Sequence, residues 1–146
     1  MTATAVEDWL LDSALAPTAD DDVLAPLYRA AARDELVMPF CAACTLPLEL
    51  DQEVCDSCGN TERAWRTVDP RGTVHAATLM HRCEPGLVRG VAPYPIVDVE
   101  LTSGHRIVMT TVQPADTAPP IGTAVRIGFR RLGDVAIPAI DILEDQ

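Results

Sequence analysis

Four of the five cysteines fall into two tight pairs, Cys41-Ala42-Ala43-Cys44 and Cys55-Asp56-Ser57-Cys58, separated by ten residues. A gap of two residues lets both thiolates of a pair reach one ion while nearby backbone amides point at the sulfurs. Two such knuckles close a tetrahedron of sulfur around Zn²⁺ at about 2.3 Å. Four thiolates leave no open coordination position, so the expected metal ligands Cys41, Cys44, Cys55 and Cys58 predict a structural zinc site and not a hydrolytic one. Soft sulfur ligands also suit iron, which would make a rubredoxin-like electron carrier. A redox dithiol is the third reading, although it needs only one pair. Gly59 follows the second knuckle, where a left-handed residue is usual; Thr45 takes the matching place in the first, so that turn is either different or strained. Cys83, far from both knuckles, is expected as a small strand-end residue.

Beyond the cysteines the chemistry is sparse. His75, His81 and His105 are the only histidines. His75 and His81 share one predicted strand at a spacing that puts them on one face of an ideal strand, and Asp98 and Glu100 do the same on another. A solvated polar face accounts for such pairs as well as a catalytic one does. No Gly-x-Ser-x-Gly, Walker or dinucleotide fingerprint is present, and no catalytic residue is assigned. A binding role has more support. Arg82 and Arg89 flank a Gly/Pro-containing loop, His81 to Pro95, and arginine forks suit phosphate. Arg82, Arg89 and Tyr94 at the end of that loop are therefore the expected substrate-binding residues, with Arg130 and Arg131 as weaker candidates. Leu87, Val88 and Val91 in the same loop fit a partner interface or a ligand channel equally well.

The elements that must position these groups change character along the chain. Val6, Trp9, Leu10 and Leu15 fall near helical spacing and predict a weak helix ending at Pro17. Asp20, Asp21 and Asp22 then offer carboxylates to the positive end of a second helix, expected from Pro26 to Arg33. From Met38 to Trp65 there are cysteines and little core-forming sequence. After that come five short, β-branched, alternating runs broken by Gly or Pro: 73–81, 95–101, 106–112, 124–130 and 135–142. Thr102-Ser103-Gly104-His105 reads as a hairpin turn between the second and third. Five strands with no helix between them predict a small closed barrel of the OB type, because closure removes sheet edges. The expected fold is mostly β with N-terminal helices. Its segments are an N-terminal helical segment (1–37), a rubredoxin-like zinc ribbon (38–66) and a five-stranded OB-fold barrel (67–146).

Composition narrows the function classes. In 146 residues, 48 % are hydrophobic but only 4 % aromatic, so aliphatic side chains must supply most of the core. The net charge is −11, and all of it lies in residues 1–62, where thirteen acids face Arg29 and Arg33 alone; residues 63–146 balance nine acids with nine arginines. There is no lysine. Bulk nucleic-acid binding needs a cationic surface and is not expected; a small phosphorylated ligand held by a few arginines is compatible. No apolar run approaches the roughly 20 residues of a membrane span, and the acidic N-terminus is no secretory signal. Paired cysteines without a disulfide framework predict a reducing compartment, the cytoplasm.

The order of these parts resembles a known family. The residues that carry the likeness begin with Asp34-Glu35-Leu36-Val37-Met38-Pro39-Phe40 just before Cys41, and the second knuckle Cys55-Asp56-Ser57-Cys58-Gly59. They continue with Trp65, the strand opener Gly72-Thr73-Val74-His75, and Pro93-Tyr94-Pro95 leading into Val97-Asp98-Val99-Glu100-Leu101. Ile121-Gly122-Thr123-Ala124-Val125 completes them. From about Val23 to Ile142 the chain resembles the zinc-ribbon plus OB-fold accessory proteins, long catalogued as a domain of unknown function. It departs from their pattern in lacking a glycine after Cys44 and a Pro-Arg within Leu46–Val54, and residues 1–22 look like an extension. The resemblance implies a non-catalytic acyl-CoA-binding accessory subunit, working in a hetero-oligomer with a thiolase-fold enzyme (a thiolase, a steroid side-chain retro-aldolase or a related acyltransferase). It implies no nucleic acid or membrane as partner. The alternatives are an OB-fold nucleic-acid-binding module, which calls for a basic, aromatic strand face, and the electron carrier above.

Overall fold

Alternation of buried and exposed residues governs the second half of the molecule. The computed structural model describes residues 6–142 apart from Ala19, Asp21 and Val91, so the expected roles of Asp21 in a helix cap and of Val91 in a loop lie outside the described residues. The elements in chain order are β1 (Val6–Glu7), a 3₁₀ turn (Ser13–Leu15), α1 (Ala25–Ala31), β2 (Val37–Cys41), β3 (Arg63–Thr67), β4 (Arg71–Met80), β5 (Tyr94–Leu101), β6 (Arg106–Met109), β7 (Ala124–Leu132) and β8 (Val135–Ile142). The five strands expected from the sequence are β4 to β8.

These five roll into a barrel. β4 pairs antiparallel with β5 on one side and β7 on the other, β5 pairs with β6, and β7 pairs with β8. A parallel bridge from Thr111 to Ile140 closes the seam between the end of β6 and β8. Because strand side chains alternate, one residue in two points inward. Val97, Val99 and Leu101 of β5, Ile107 and Met109 of β6, Val125, Ile127 and Phe129 of β7, and Ile140 of β8 belong to one buried apolar cluster. Each such side chain contributes roughly 1.5–3 kcal/mol through burial. Curvature comes from β4, where a bulge places His75 between Val74, opposite Val99, and Ala76, opposite Asp98. Gly72 sits where a Cβ would lie 2.4 Å from the Glu100 carbonyl oxygen, so only glycine lets β4 and β5 approach this closely.

The N-terminal segment departs from expectation. Residues 6–15 are not a helix: β1 pairs parallel with β7, aligning Val6 with Arg130 and Glu7 with Arg131. The cause is Asp8, whose Oδ1 accepts from the amides of Leu10 (2.8 Å) and Leu11 (2.7 Å), a local turn that competes with helical hydrogen bonding. Trp9 donates its indole N–H to the Thr111 carbonyl at 2.9 Å, fixing the segment across the barrel. From Val6 to Leu11 the extension is thus part of the fold. The second helix is present as α1, with Pro26 in its first turn; Asp22 Oδ1 accepts from the Leu24 amide ahead of it. Leu27 and Ala31 of α1 join the barrel's cluster. No helix among the described residues is long and apolar enough to cross a membrane.

Candidate metal centre

β2 and β3 form a separate two-stranded antiparallel sheet, with Cys41 opposite Arg63. The chain leaves β2 at Cys41 and turns at once: the Thr45 amide donates to the Cys41 carbonyl (3.0 Å), and the Gly59 amide donates to the Cys55 carbonyl (2.9 Å). Both closing residues are left-handed, Thr45 at φ 64° and Gly59 at φ 75°. The first knuckle therefore uses the same turn as the second, and Thr45 bears the strain of it.

The two knuckles bring all four sulfurs within 4.8 Å of one another. Cys41 and Cys58 are 3.5 Å apart and Cys44 and Cys55 3.4 Å. A sulfur tetrahedron with metal–sulfur bonds of about 2.3 Å has edges of about 3.8 Å, so the spacing fits a single ion, whereas a disulfide requires about 2.05 Å. Cys41, Cys55 and Leu48 form a small buried cluster that walls the site. The Cys41 thiol is lowered to about 6, first by the Cys44 amide and then by that of Ala43 and by the Cys58 and Cys44 thiols, against the effect of burial. At Cys44 the Leu46 amide pulls downward, but the hydrogen bond with Cys55, burial, and the Cys41 and Cys58 thiols together push it up to about 12. Cys58 is also raised: the Asn60 amide opposes, and Cys41, burial and Cys55 prevail. Of these three thiols Cys41 ionises most readily, and a cation at the centre would displace the protons that the ligands still hold.

The site is tied to the barrel by His105, which the hairpin turn carries. Its Nε2–H donates to the Pro39 carbonyl at 2.8 Å, while Nδ1 accepts from the Ser103 hydroxyl at 2.7 Å. Its ring meets Phe40 edge to face, with centroids 4.8 Å apart. Burial lowers the His105 pKa, opposed by the hydrogen bond to Pro39 and by Glu49. Both bonds suit the neutral ring. The turn was legible in the sequence, but the role of the histidine was not, since its partners lie far away in the chain.

The expected substrate-binding residues do not converge. Arg82 is exposed and ion-paired with Glu84; Arg89 is exposed, its amide bonded to the Leu10 carbonyl at 2.7 Å. Tyr94 is half-buried and lines a cleft that neither arginine lines. Leu87 and Val88 lie against the N-terminal segment, Val88 bridging to Leu11. Nor do the paired polar residues act as pairs. The bulge at His75 breaks the strand phase and β4 ends at Met80, before His81. Asp98 accepts from Nε and Nη2 of Arg106, which is why its pKa is lowered, while Glu100 faces His75 at 3.8 Å. Cys83 lies beyond the end of β4, its sulfur 3.5 Å from the Ala92 carbonyl oxygen.

A two-stranded ribbon carrying four clustered cysteines, stapled to a five-stranded closed barrel, defines a zinc-ribbon plus OB-fold protein. Residues 65–130 match the family described as ChsH2, C-terminal OB-fold domain. Among solved structures the chain is similar to the Ltp2-ChsH2(DUF35) aldolase, with a TM-score of 0.71 and 26% identity, over 87% of this chain and 98% of that one. None of the curated proteins matches the sequence. The resemblance is thus seen in sequence over the barrel, residues 65–130, and in three dimensions over most of the chain.

Proposed function

We propose that this protein is a non-catalytic accessory subunit of a thiolase-type enzyme, in which it completes an acyl-CoA site. The observation that carries the reading is the likeness to the Ltp2-ChsH2(DUF35) aldolase, which extends over nearly all of that chain and takes in ribbon as well as barrel. In this reading Cys41, Cys44, Cys55 and Cys58 hold one structural Zn²⁺; the donor set, all thiolate and closed, supports zinc in a structural role. The chain divides into an N-terminal segment (1–37), the ribbon (38–66) and the barrel (67–146). Arg89, exposed, and Arg82, once it leaves Glu84, would meet the phosphates of coenzyme A, and Tyr94 the acyl portion. The enzyme supplies the reacting groups, and this subunit contributes positioning, which accelerates a reaction only where it favours the transition state. The compartment of this reading is the cytoplasm, whose reducing conditions keep paired cysteines available as metal ligands.

Co-expression with the thiolase-like enzyme of the same organism tests this directly. The two chains are expected to co-elute in a fixed ratio, and the enzyme to lose most of its turnover without this subunit. An enzyme that is fully active alone, with no co-elution, would overturn the proposal. Elemental analysis of the colourless protein is expected to give one zinc per chain; iron with a red colour would favour the electron carrier.

A further inference from the structure

The bridge from Thr111 to Ile140 closes the barrel at one point of the β6–β8 seam, and beside it β6 and β8 are not paired. Between that seam, α1 and the N-terminal segment runs a cleft of about 430 Å³, within the size range of small-molecule sites. Its walls are mainly aliphatic, with Leu27 from α1, Ile107 and Met109 from β6, and Ile137 from β8. Two lining residues are polar and buried: Thr110, 7% exposed, and Arg130, 3% exposed. Among the described residues, the buried side-chain atoms without a hydrogen-bond partner are the Thr110 hydroxyl, Arg130 Nε and Nη1, and Asp8 Oδ2, the last of which is engaged by its charge contact with Arg130. Native proteins rarely leave buried donors unmatched, least of all on a charged group.

The electrostatics say which acceptor fits. Arg130 Nη2 lies 3.2 Å from Asp8 Oδ2, and Asp8 is itself buried and held by the Leu10 and Leu11 amides. Trp9 covers the guanidinium at 6.0 Å from its ring centroid. The positive charge is therefore already balanced, and a second carboxylate at this depth would repel Asp8. What remains is hydrogen-bonding capacity without net charge. We propose that the cleft binds an apolar molecule bearing one uncharged acceptor oxygen, a ketone or ester carbonyl, with Arg130 and Thr110 donating to that oxygen and the carbon skeleton lying against the aliphatic walls. The inference concerns this chain alone and does not depend on any partner enzyme.

Titration of the zinc-loaded full chain with 2-octanone and with octanoate, followed by methyl NMR at Ile107 and Ile137, tests it. The ketone is expected to shift both residues and to bind about tenfold more tightly than the acid, the difference expected of a lost or repelled polar contact. Thr110→Val should weaken the ketone about fivefold, one hydrogen bond's worth, and leave octanoate unaffected. Ile137→Trp, which fills the cleft, should abolish the shifts at Ile107. Tighter binding of octanoate would overturn the charge argument. Ketone binding unchanged in both variants, or no shift at either isoleucine, would overturn the site.

Discussion

Thr45 holds a left-handed backbone at φ 64° with a β-branched side chain, a combination that costs roughly 1–2 kcal/mol in a non-glycine residue. Its hydroxyl recovers part of this by donating to the Cys44 carbonyl at 2.6 Å. Gly59 occupies the equivalent turn at φ 75° with nothing within 4 Å of where a Cβ would lie. The two knuckles therefore provide a matched pair of substitutions. Thr45→Gly should relieve the strain and gain about 0.5–1 kcal/mol after the greater freedom of glycine in the unfolded chain is subtracted. That gain corresponds to a melting temperature higher by roughly 2–3 °C. Gly59→Thr introduces the strain without any clash and should lower the melting temperature by a similar or larger amount. Zinc-loaded protein melted in parallel for the two variants decides the matter; an unchanged or lower value for Thr45→Gly would mean that the turn is not strained.

At the scale of elements, the ribbon meets the barrel through Met38 and Trp65, packed on the barrel's cluster, and through one buried imidazole. Because burial lowers the His105 pKa, the folded state holds fewer protons than the unfolded chain once pH drops below the ordinary histidine value of about 6.5. The contribution is thus complete above pH 6.5 and is lost as pH falls toward the folded-state pKa. With zinc in excess, the melting temperature should fall between pH 7.5 and 5.5. His105→Gln, which keeps a donor for Pro39 but does not titrate, should show a smaller decline; parallel decline of the two proteins would show that protonation of His105 does not oppose folding. The strands themselves were legible because a sheet with one buried face writes period-two alternation into runs such as Ile96 to Leu101. The clustering of the four cysteines was legible because knuckle geometry is local. His105 was readable only as part of a turn, since Pro39 and Phe40 become its neighbours through tertiary contact. The apolar residues of the first segment match a helical period, and nothing nearby in sequence reveals that Asp8 ties up the Leu10 and Leu11 amides and meets Arg130. Arg130 likewise alternates with Phe129 and reads as a solvent-facing strand arginine.

For the molecule as a whole, the Asp8–Arg130 pair joins the first described residues to the penultimate strand, and it is the point at which the N-terminal segment either belongs to the fold or does not. Burial lowers the Arg130 pKa and Asp8 opposes that shift. A buried charge that loses its partner is far more costly than a pair that is never formed, typically 3–5 kcal/mol against near neutrality for an apolar replacement. Asp8→Ala should therefore destabilise the protein by about 3–5 kcal/mol, because Arg130 would keep its charge at 3% exposure. The double variant Asp8→Leu/Arg130→Met removes both charges with little change in volume and should recover most of the loss. Urea unfolding of the zinc-loaded proteins reads the difference as displaced midpoints with a shared slope. If Asp8→Ala unfolds at the parental midpoint, the segment does not pack over Arg130 in solution, and β1 is an attached strand and not a structural part of the barrel. If the single variant is destabilised and the double variant is not rescued, the contribution of the segment lies in the packing of Trp9 and Leu10 instead. Recovery in the double variant would show that the ion pair is replaceable for folding, which isolates its remaining role: holding a charge-neutral pair of donors at the wall of an aliphatic cleft.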